Sequence, residues 1–498
     1  MPKKVREFDV IVVGSGPGGE GAAMQARKQG LRVLVIEKQP FVGGGCTHTG
    51  TIPSKSLRYS AYKILALRAD PLLHLEQQNF TFEALLHQAR DIIGQQVKLR
   101  NSHYMRNDVE VLHGEAQFVD PHTLLVQQNE QSELVRAEVI VLATGSRPYR
   151  LPNVNYQHPC VFDSDTILSL RSNPRVVTVF GAGVVGCEYT SIFRSLGKKV
   201  NLINTRAQLL SFLDTEIIDA LSYHLRDSGV LIRNQESFSH LETRGQEVVL
   251  HLASGKQIHS DIILFASGRI GNTEALHLDT IGIKVNDWGQ LLVNTHFQTE
   301  IPHIYAVGDV VGFPALASSA YDQGRFAIGH FLDPECDHRL VANIPVGIYT
   351  IPEISCIGKT EAELTQAKIP YEIGHTSFKQ LARAQITGET IGMLKLLFHP
   401  ETLELLGVHC FGQHAAEIIH IGQAILTQKN GGNTIRYFTD TTFNYPTMAE
   451  AYRVAALNGL NRLHMQRKAS EVREEKVEVE IREEKPEESE LHPQEDTP

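Results

Sequence analysis

Phe8-Asp9-Val10-Ile11-Val12-Val13-Gly14-Ser15-Gly16-Pro17-Gly18-Gly19 decides the fold. Its first half is a β-rich apolar run. Its second half is a loop in which Gly14, Gly16 and Gly19 permit a tight turn and bring a pyrophosphate close to a helix N-terminus. A segment poor in helix breakers, 22–29, follows, and then a second β-rich run, Arg32-Val33-Leu34-Val35-Ile36-Glu37. Strand, glycine loop, helix, strand and terminal acid together predict a dinucleotide-binding α/β fold, with Glu37 accepting hydrogen bonds from a ribose.

The pattern restarts near Arg175. Val176-Val177-Thr178-Val179-Phe180 leads into Gly181-Ala182-Gly183-Val184-Val185-Gly186, a helix to Leu196, and the run 199–203 ending at Asn204. A strand and glycine turn at Ile262-Ile263-Leu264-Phe265-Ala266-Ser267-Gly268-Arg269 closes this second unit. Two such folds imply two dinucleotides, or one cofactor and one co-substrate. Glu37 lies 23 residues after Gly14, and the residue 23 after Gly181 is Asn204, followed by Thr205 and Arg206. An acid at this place favours a free 2′-hydroxyl and repels a 2′-phosphate. The first fold therefore suits an adenosine with a free ribose. The second, with Asn204 and Arg206, is expected to admit both NAD and NADP. The plain alternative for Arg206 is a solvated loop charge.

Between the folds stands Gly43-Gly44-Gly45-Cys46-Thr47-His48-Thr49-Gly50-Thr51-Ile52-Pro53-Ser54-Lys55. Three glycines let the backbone approach a ligand, and a helix is expected after Pro53. A lone cysteine, Cys46, is followed five residues on by Thr51. Further along, Ala143-Thr144-Gly145-Ser146 ends one strand, and Ile304-Tyr305-Ala306-Val307-Gly308-Asp309 sets a carboxylate beside a glycine, within reach of a sugar-alcohol chain. From Ile344 the runs read as antiparallel strands with a helix at 415–428. The last element, Phe443-Asn444-Tyr445-Pro446-Thr447-Met448-Ala449-Glu450, leads into a helix to about Leu463.

The expected organisation is 1–150, a first dinucleotide fold; 151–272, the second; 273–345, a return to the first; 346–466, a third domain; and 467–498, an acidic tail too charged to bury a core. From Ala469 to Pro498 twelve acidic residues face four basic ones, so most of the formal charge of −10 sits in that tail. The near-neutral body gives no electrostatic case for nucleic acid. No stretch approaches the roughly 18–20 apolar residues of a membrane span. The apolar run after the basic N-terminus is too short for a signal peptide. The cysteines, 46, 160, 187, 336, 356 and 410, form no CxxC pair and fit a reducing cytosol. The 23 histidines form no HxxxH or HExxH cluster, so no metal is expected.

In this order and combination, the pieces resemble the pyridine nucleotide-disulfide oxidoreductases, flavoproteins related to lipoamide dehydrogenase and glutathione reductase, over about residues 8–463. The fold implied is α/β: two Rossmann-like dinucleotide-binding domains, for FAD and NAD(P), plus a C-terminal α+β dimerisation domain. The resemblance implies FAD on the first fold through Gly14, Gly16, Gly18, Gly19, Glu37 and Lys38. Gly43, Gly44, Gly45, Cys46 and Thr51 would join them, with Thr144, Gly145, Gly308 and Asp309. It implies a nicotinamide nucleotide on the second fold through Gly181, Gly183, Val184, Val185, Gly186 and Glu188, with Asn204, Arg206, Gly268 and Arg269. Lys55 matches the lysine beside the flavin N5, and Glu188 the glutamate that pairs with it. These two are the expected catalytic residues. The third domain resembles the family's dimer interface and implies a homodimer or higher homo-oligomer.

The departures narrow the chemistry. The family's disulfide reductases relay electrons through a Cys-x4-Cys pair, and here Thr51 replaces the second cysteine. Their C-terminal His-Pro-Thr supplies an acid/base histidine, and here Tyr445-Pro446-Thr447 stands in its place, with Glu450 retained. Tyrosine, with an ordinary pKa of about 10, is a poor base at neutral pH. A flavoprotein that keeps its nucleotide parts and lacks its thiol parts is expected to pass hydride between NADPH and NAD through FAD, in a ping-pong cycle. The same parts would also serve a reductase of a disulfide or another acceptor, or an NAD(P)H oxidase.

Overall fold

The computed structural model describes residues 5–70, 80–128, 131–335 and 343–483. The chain divides into two compact units, Met1–Ser355 and Cys356–Pro498.

In the first unit β1 (Arg6–Val13), α1 (Pro17–Lys28) and β2 (Val33–Glu37) follow one another as the sequence predicts. The short α2 (Gly44–His48), then α3 (Thr51–Ala69) and α4 (Phe82–Arg106), come next. After them run β3 (Glu110–His113), β4 (Glu115–Asp120), β5 (Thr123–Gln128) and β6 (Gln131–Leu142). β1 lies parallel to β2 on one side and to β6 on the other, and β3 extends the sheet beyond β2. β4 and β5 form an antiparallel meander onto β6. Val10, Val12, Val35, Val139 and Val141 pack on one face with the α1 alanines, while Ile11, Leu34, Ile36, Ile140 and Leu142 pack on the other. Burial on both faces is why these strands read as unbroken apolar runs rather than as alternation.

The second fold opens after β7 (Ser146–Pro148) with β8 (Val161–Asp163), β9 (Val176–Phe180), α5 (Val184–Ser195), β10 (Lys199–Ile203), α6 (Thr215–Asp227) and β11 (Leu231–Arg233). An antiparallel insert, β12 (Phe238–Arg244), β13 (Glu247–Leu252) and β14 (Gln257–Ser260), precedes β15 (Ile262–Phe265) and β16 (Arg269–Gly271). The parallel order is β11-β10-β9-β15-β8. β16 pairs antiparallel with β7. The chain then returns to the first sheet as β17 (Ile304–Ala306), parallel to β6, and α7 (Ala317–Leu332) packs on α1. The two helices touch backbone to backbone: a Cβ on Gly21 would lie 2.1 Å from Tyr321 O, and one on Gly324 2.1 Å from Gly18 O. β18 (Val346–Ile348) ends this unit, and the division falls inside β19 (Ile354–Gly358).

The second unit continues with α8 (Glu361–Gln366), β20 (Glu372–Ser377), α9 (Ala382–Thr387), β21 (Gly392–Phe398) and β22 (Leu405–Gly412). α10 (Ala415–Leu426), α11 (Arg436–Asp440) and α12 (Glu450–Glu483) complete it. Its strands run in the order β19-β22-β21-β20 around a core that includes Phe378, Phe398, Phe438 and Tyr452. The Tyr452 hydroxyl donates to Ile418 O at 2.8 Å, joining α12 to α10.

Three features differ from the sequence expectation. β20 was not expected, because its inward residues are Glu372, Gly374 and Thr376, which carry no apolar alternation. The compact division falls at Ser355, beyond the expected boundary at 345. α12 runs to Glu483, past Gln466, where a tail unable to bury a core was expected to begin, and it takes in Val472 to Arg482, the part of that tail expected to be transiently helical. Its side chains from His464 to Arg473 are all exposed, so Gln466 lies where burial has already ended, while the helix goes on. Residues 484–498 and Cys336 lie outside the described residues.

Candidate active site

Both glycine turns are built alike. A Cβ on Gly14 (φ +106°) would lie 2.3 Å from Ala143 O, and one on Gly19 would lie 1.9 Å from Gly14 O. In the second fold a Cβ on Gly181 (φ +109°) would lie 2.3 Å from Ala266 O, and one on Gly186 would lie 1.8 Å from Gly181 O. No side chain fits at any of the four. α1 and α5 begin at Gly16 and Gly183 without a side-chain cap, which leaves first-turn N–H groups able to take a phosphate. Gly183 has open space where a Cβ would stand, beside the partly exposed Val184 and Val185.

Glu37 is buried at the end of β2. Its Oε2 accepts from Ser15 N at 3.0 Å and Ser15 Oγ at 2.5 Å, and its Oε1 from Gln39 N at 2.8 Å. A carboxylate offers about four lone-pair sites, so capacity remains for one ribose hydroxyl. The Ser15 hydroxyl also accepts from Gly43 N at 2.9 Å. This ties the loop Gly43, Gly44, Gly45 to the first glycine turn, and a Cβ on Gly44 would lie 2.7 Å from Gly16 Cα. Ser15 was missed in the sequence reading, since its place between two glycines carries no chemical signal. Lys38 turns away to pair with Glu115 at 2.7 Å and stays largely exposed.

Asn204 departs from its expected role. It is buried, and its Nδ2 donates to Arg206 O at 2.9 Å, Gln208 O at 3.0 Å and Asn234 Oδ1 at 3.1 Å. Its Oδ1 accepts from Arg206 N at 3.2 Å. The amide shapes the loop after β10 instead of standing open to a ribose. Arg206 is exposed, with Nη1 donating to Ser211 Oγ at 3.0 Å.

Gly308 (φ +78°) turns the chain after β17 and presents Asp309, whose Oδ2 accepts from Ser146 Oγ at 2.8 Å. Ser146 Oγ in turn accepts from Arg269 Nε at 2.8 Å, which directs the single hydroxyl hydrogen to Asp309. Arg269 also donates to Ser146 O at 2.8 Å and pairs with Asp165 at 3.1 Å. Arg269 was expected on the nucleotide. Most of its donors are instead engaged by the protein, and it orients Ser146. Burial pushes the Asp165 carboxyl up, against the downward pull of Arg269. Asn272 Nδ2 donates to Thr144 O at 3.0 Å, and Gly145 (φ +70°) and Gly268 (φ +110°) take left-handed turns at the ends of β6 and β15. The Thr144 and Thr47 hydroxyls are buried without a protein partner, a polar lining that suits a flavin dinucleotide.

Lys55, in the second turn of α3, meets Glu188 of α5. Its Nζ lies 2.7 Å from Oε2 and 3.0 Å from Oε1, and Glu188 Oε1 also accepts from Tyr349 N at 2.9 Å. The carboxylate side chain is 6% exposed, so the ammonium balances an almost buried charge. The Thr51 hydroxyl hydrogen-bonds Cys46, and burial pushes the Cys46 thiol up, so it stays protonated at neutral pH. Among the described residues Cys46, Cys160 and Cys187 are free thiols.

The model of the pyridine nucleotide-disulphide oxidoreductases matches residues 8–324, and that of their dimerisation domain matches 344–456. The chain belongs to this family. A protein of Vibrio parahaemolyticus serotype O3:K6 named soluble pyridine nucleotide transhydrogenase is 56% identical over 462 residues, covering 92% of this chain and 99% of that one. A protein of the same name from Enterobacter sp. strain 638 is 56% identical over 460 residues, with 92% and 99% covered. The HOCl-induced flavoprotein disulfide reductase RclA of Escherichia coli has a similar solved structure, with TM-score 0.82, 25% identity, and 90% and 99% covered. Family membership bears out the two-fold α/β reading with a dimerisation domain. In the second unit Tyr445 is 71% exposed, just ahead of α12 and Glu450.

Proposed function

We infer that this chain transfers hydride between NADPH and NAD with FAD as its cofactor, the activity named in its relatives. The observation that carries this reading lies at Cys46. Where a thiol relay would stand, a half-buried, protonated Cys46 meets the Thr51 hydroxyl, while both glycine turns and the Lys55–Glu188 pair are complete. FAD, when bound, supplies the chemistry by taking hydride from one nicotinamide and giving it to the other. The glycine turn, Glu37 and the loop 43–45 hold the FAD pyrophosphate and ribose, and Asp309, fixed by Ser146, meets its polyol chain. Lys55 presents its ammonium beside the isoalloxazine, and Glu188 keeps it there. The turn Gly181–Gly186 seats the nucleotide, and Arg206 meets the 2′-phosphate when NADP is the occupant. The strand-end residue is Asn204 and not an acid, so it does not repel that phosphate, and NAD and NADP take turns in one pocket.

The second unit carries self-association into a homodimer or larger homo-oligomer. No helix among the described residues is long and apolar enough to cross a membrane, and a cytoplasmic place of work is part of this reading. The test is anaerobic turnover of the holoenzyme with NADPH as donor and thio-NAD as acceptor. Thio-NADH should form without added thiol or disulfide. If NADPH reduces the flavin and no thio-NADH appears, the electrons have another acceptor and the reading is wrong.

A further inference from the structure

Lys55 and Arg58 stand about one turn apart on α3, and Glu188 and Ser191 about one turn apart on α5. A single short segment, Tyr349–Glu353, engages all four. Tyr349 N donates to Glu188 Oε1 at 2.9 Å, and Ile351 N donates to Ser191 Oγ at 3.2 Å. Thr350 O accepts from Arg58 Nε at 3.3 Å and Nη2 at 3.2 Å, and Glu353 pairs with Arg58 at 3.0 Å. The Tyr349 ring lies against the ammonium, with Lys55 Nζ 4.9 Å from its centroid.

We propose that the segment Tyr349–Glu353 is a strap that positions the catalytic pair, and that the Tyr349 ring face keeps the Lys55 ammonium against Glu188 and aimed at the flavin. This rests on the reading of Lys55 as the lysine beside the flavin. The lysine stem is flexible and its side chain is 27% exposed, so water competes for the ammonium. An aromatic face removes part of that water and attracts the cation through its quadrupole. The two backbone donors fix Glu188 and the turn behind it, so the strap acts on both partners. Tyr349 is a positioning residue: in this arrangement it acts through Lys55 and Glu188.

The test compares holoenzymes carrying Tyr349→Leu and Tyr349→Phe, with NADPH and no second nucleotide. The rate of flavin reduction at saturating NADPH should fall about tenfold in Tyr349→Leu. KM should stay within about twofold, because the second glycine turn is untouched. The flavin midpoint potential should fall by about 30 mV, the equivalent of tenfold for a two-electron couple, since the ammonium no longer stands fixed against the charge that reduction brings. Tyr349→Phe, which keeps the ring face, should restore both. If Tyr349→Leu does not retain flavin, Tyr349→Met, an apolar chain of similar reach without a π face, replaces it in the comparison. A flavin-bearing Leu or Met variant with unchanged potential overturns the proposal, and so does a Phe variant as impaired as the Leu. Neither readout uses NAD as acceptor, so failure of the thio-NAD assay and failure of the strap are told apart.

Discussion

The two dinucleotide folds share one backbone solution and differ at the end of their second strand. Both turn on a glycine against the carbonyl of a neighbouring strand, and both start an uncapped helix there. In the first fold that strand-end residue is Glu37, which gathers Ser15 and Gln39 and, through Ser15, the loop at Gly43. In the second it is Asn204, which gathers its own loop and leaves Arg206 at the surface. A carboxylate makes a closed, negative clasp suited to one cofactor kept in place. A neutral amide with an exposed arginine nearby makes an open rim that does not repel a phosphate. On the proposed reading, the shared backbone seats a pyrophosphate twice, and the strand-end residue decides what else each site tolerates.

The largest effect should come from breaking either turn. Gly19→Ala puts a Cβ 1.9 Å from Gly14 O, and Gly186→Ala puts one 1.8 Å from Gly181 O. Overpacking of this kind costs about 1–3 kcal/mol or more. Gly19→Ala should yield protein without flavin. Gly186→Ala should keep its yellow colour and lose reduction by NADPH, read by absorbance. Equal flavin loss in both variants would erase the distinction between a cofactor fold and a substrate fold. Next in size is Lys55→Met, which leaves Glu188 buried and unpaired. Stopped-flow reduction by NADPH should slow about a hundredfold, the scale of losing one preorganised charged donor.

A smaller effect tests the strand ends. Arg206→Gln should weaken NADPH about tenfold, as expected for one charge-assisted contact. NADH should stay within about twofold, and the wild-type affinity for NADPH should fall as salt rises. Unchanged binding of both nucleotides would make Arg206 a solvated loop charge. The smallest effect should fall on Cys46. Because its thiol is held above its ordinary range by burial, iodoacetamide should label it slowly at neutral pH. The labelling rate should climb only above the usual thiol range near about pH 8.5. Cys46→Ser should keep nucleotide-to-nucleotide turnover within about twofold, whereas a thiol relay would lose it.

Much of the site was legible because its demands are local. Gly14, Gly19, Gly181 and Gly186 sit where only glycine fits, and such positions show in the spacing of one residue type. Thr51 and Tyr445 were legible as departures from a resemblance. What the sequence did not carry is where side chains point. Lys38, Asn204 and Arg269 occupy the right places in the chain but spend their polar groups on Glu115, the 206–208 loop and Ser146. A sequence assigns a residue to a strand end and says nothing of which partner its donors reach. β20 escaped because its buried face is Glu372, Gly374 and Thr376, and the hydrophobic period that marks strands is absent there.

The sequence by itself determined the two glycine turns, the acid of the first fold, the missing second cysteine and the order of domains. Each of these depends on sterics or chemistry within a few residues. Only the tertiary structure decided that Ser15 binds Glu37 to the loop at Gly43, that Arg269 orients Asp309 through Ser146, and that Tyr349 lies against Lys55. Those contacts join segments far apart in the chain. Hydrogen bonds and cation–π contacts act only over a few ångströms, so they exist only once the sheets have brought the segments together.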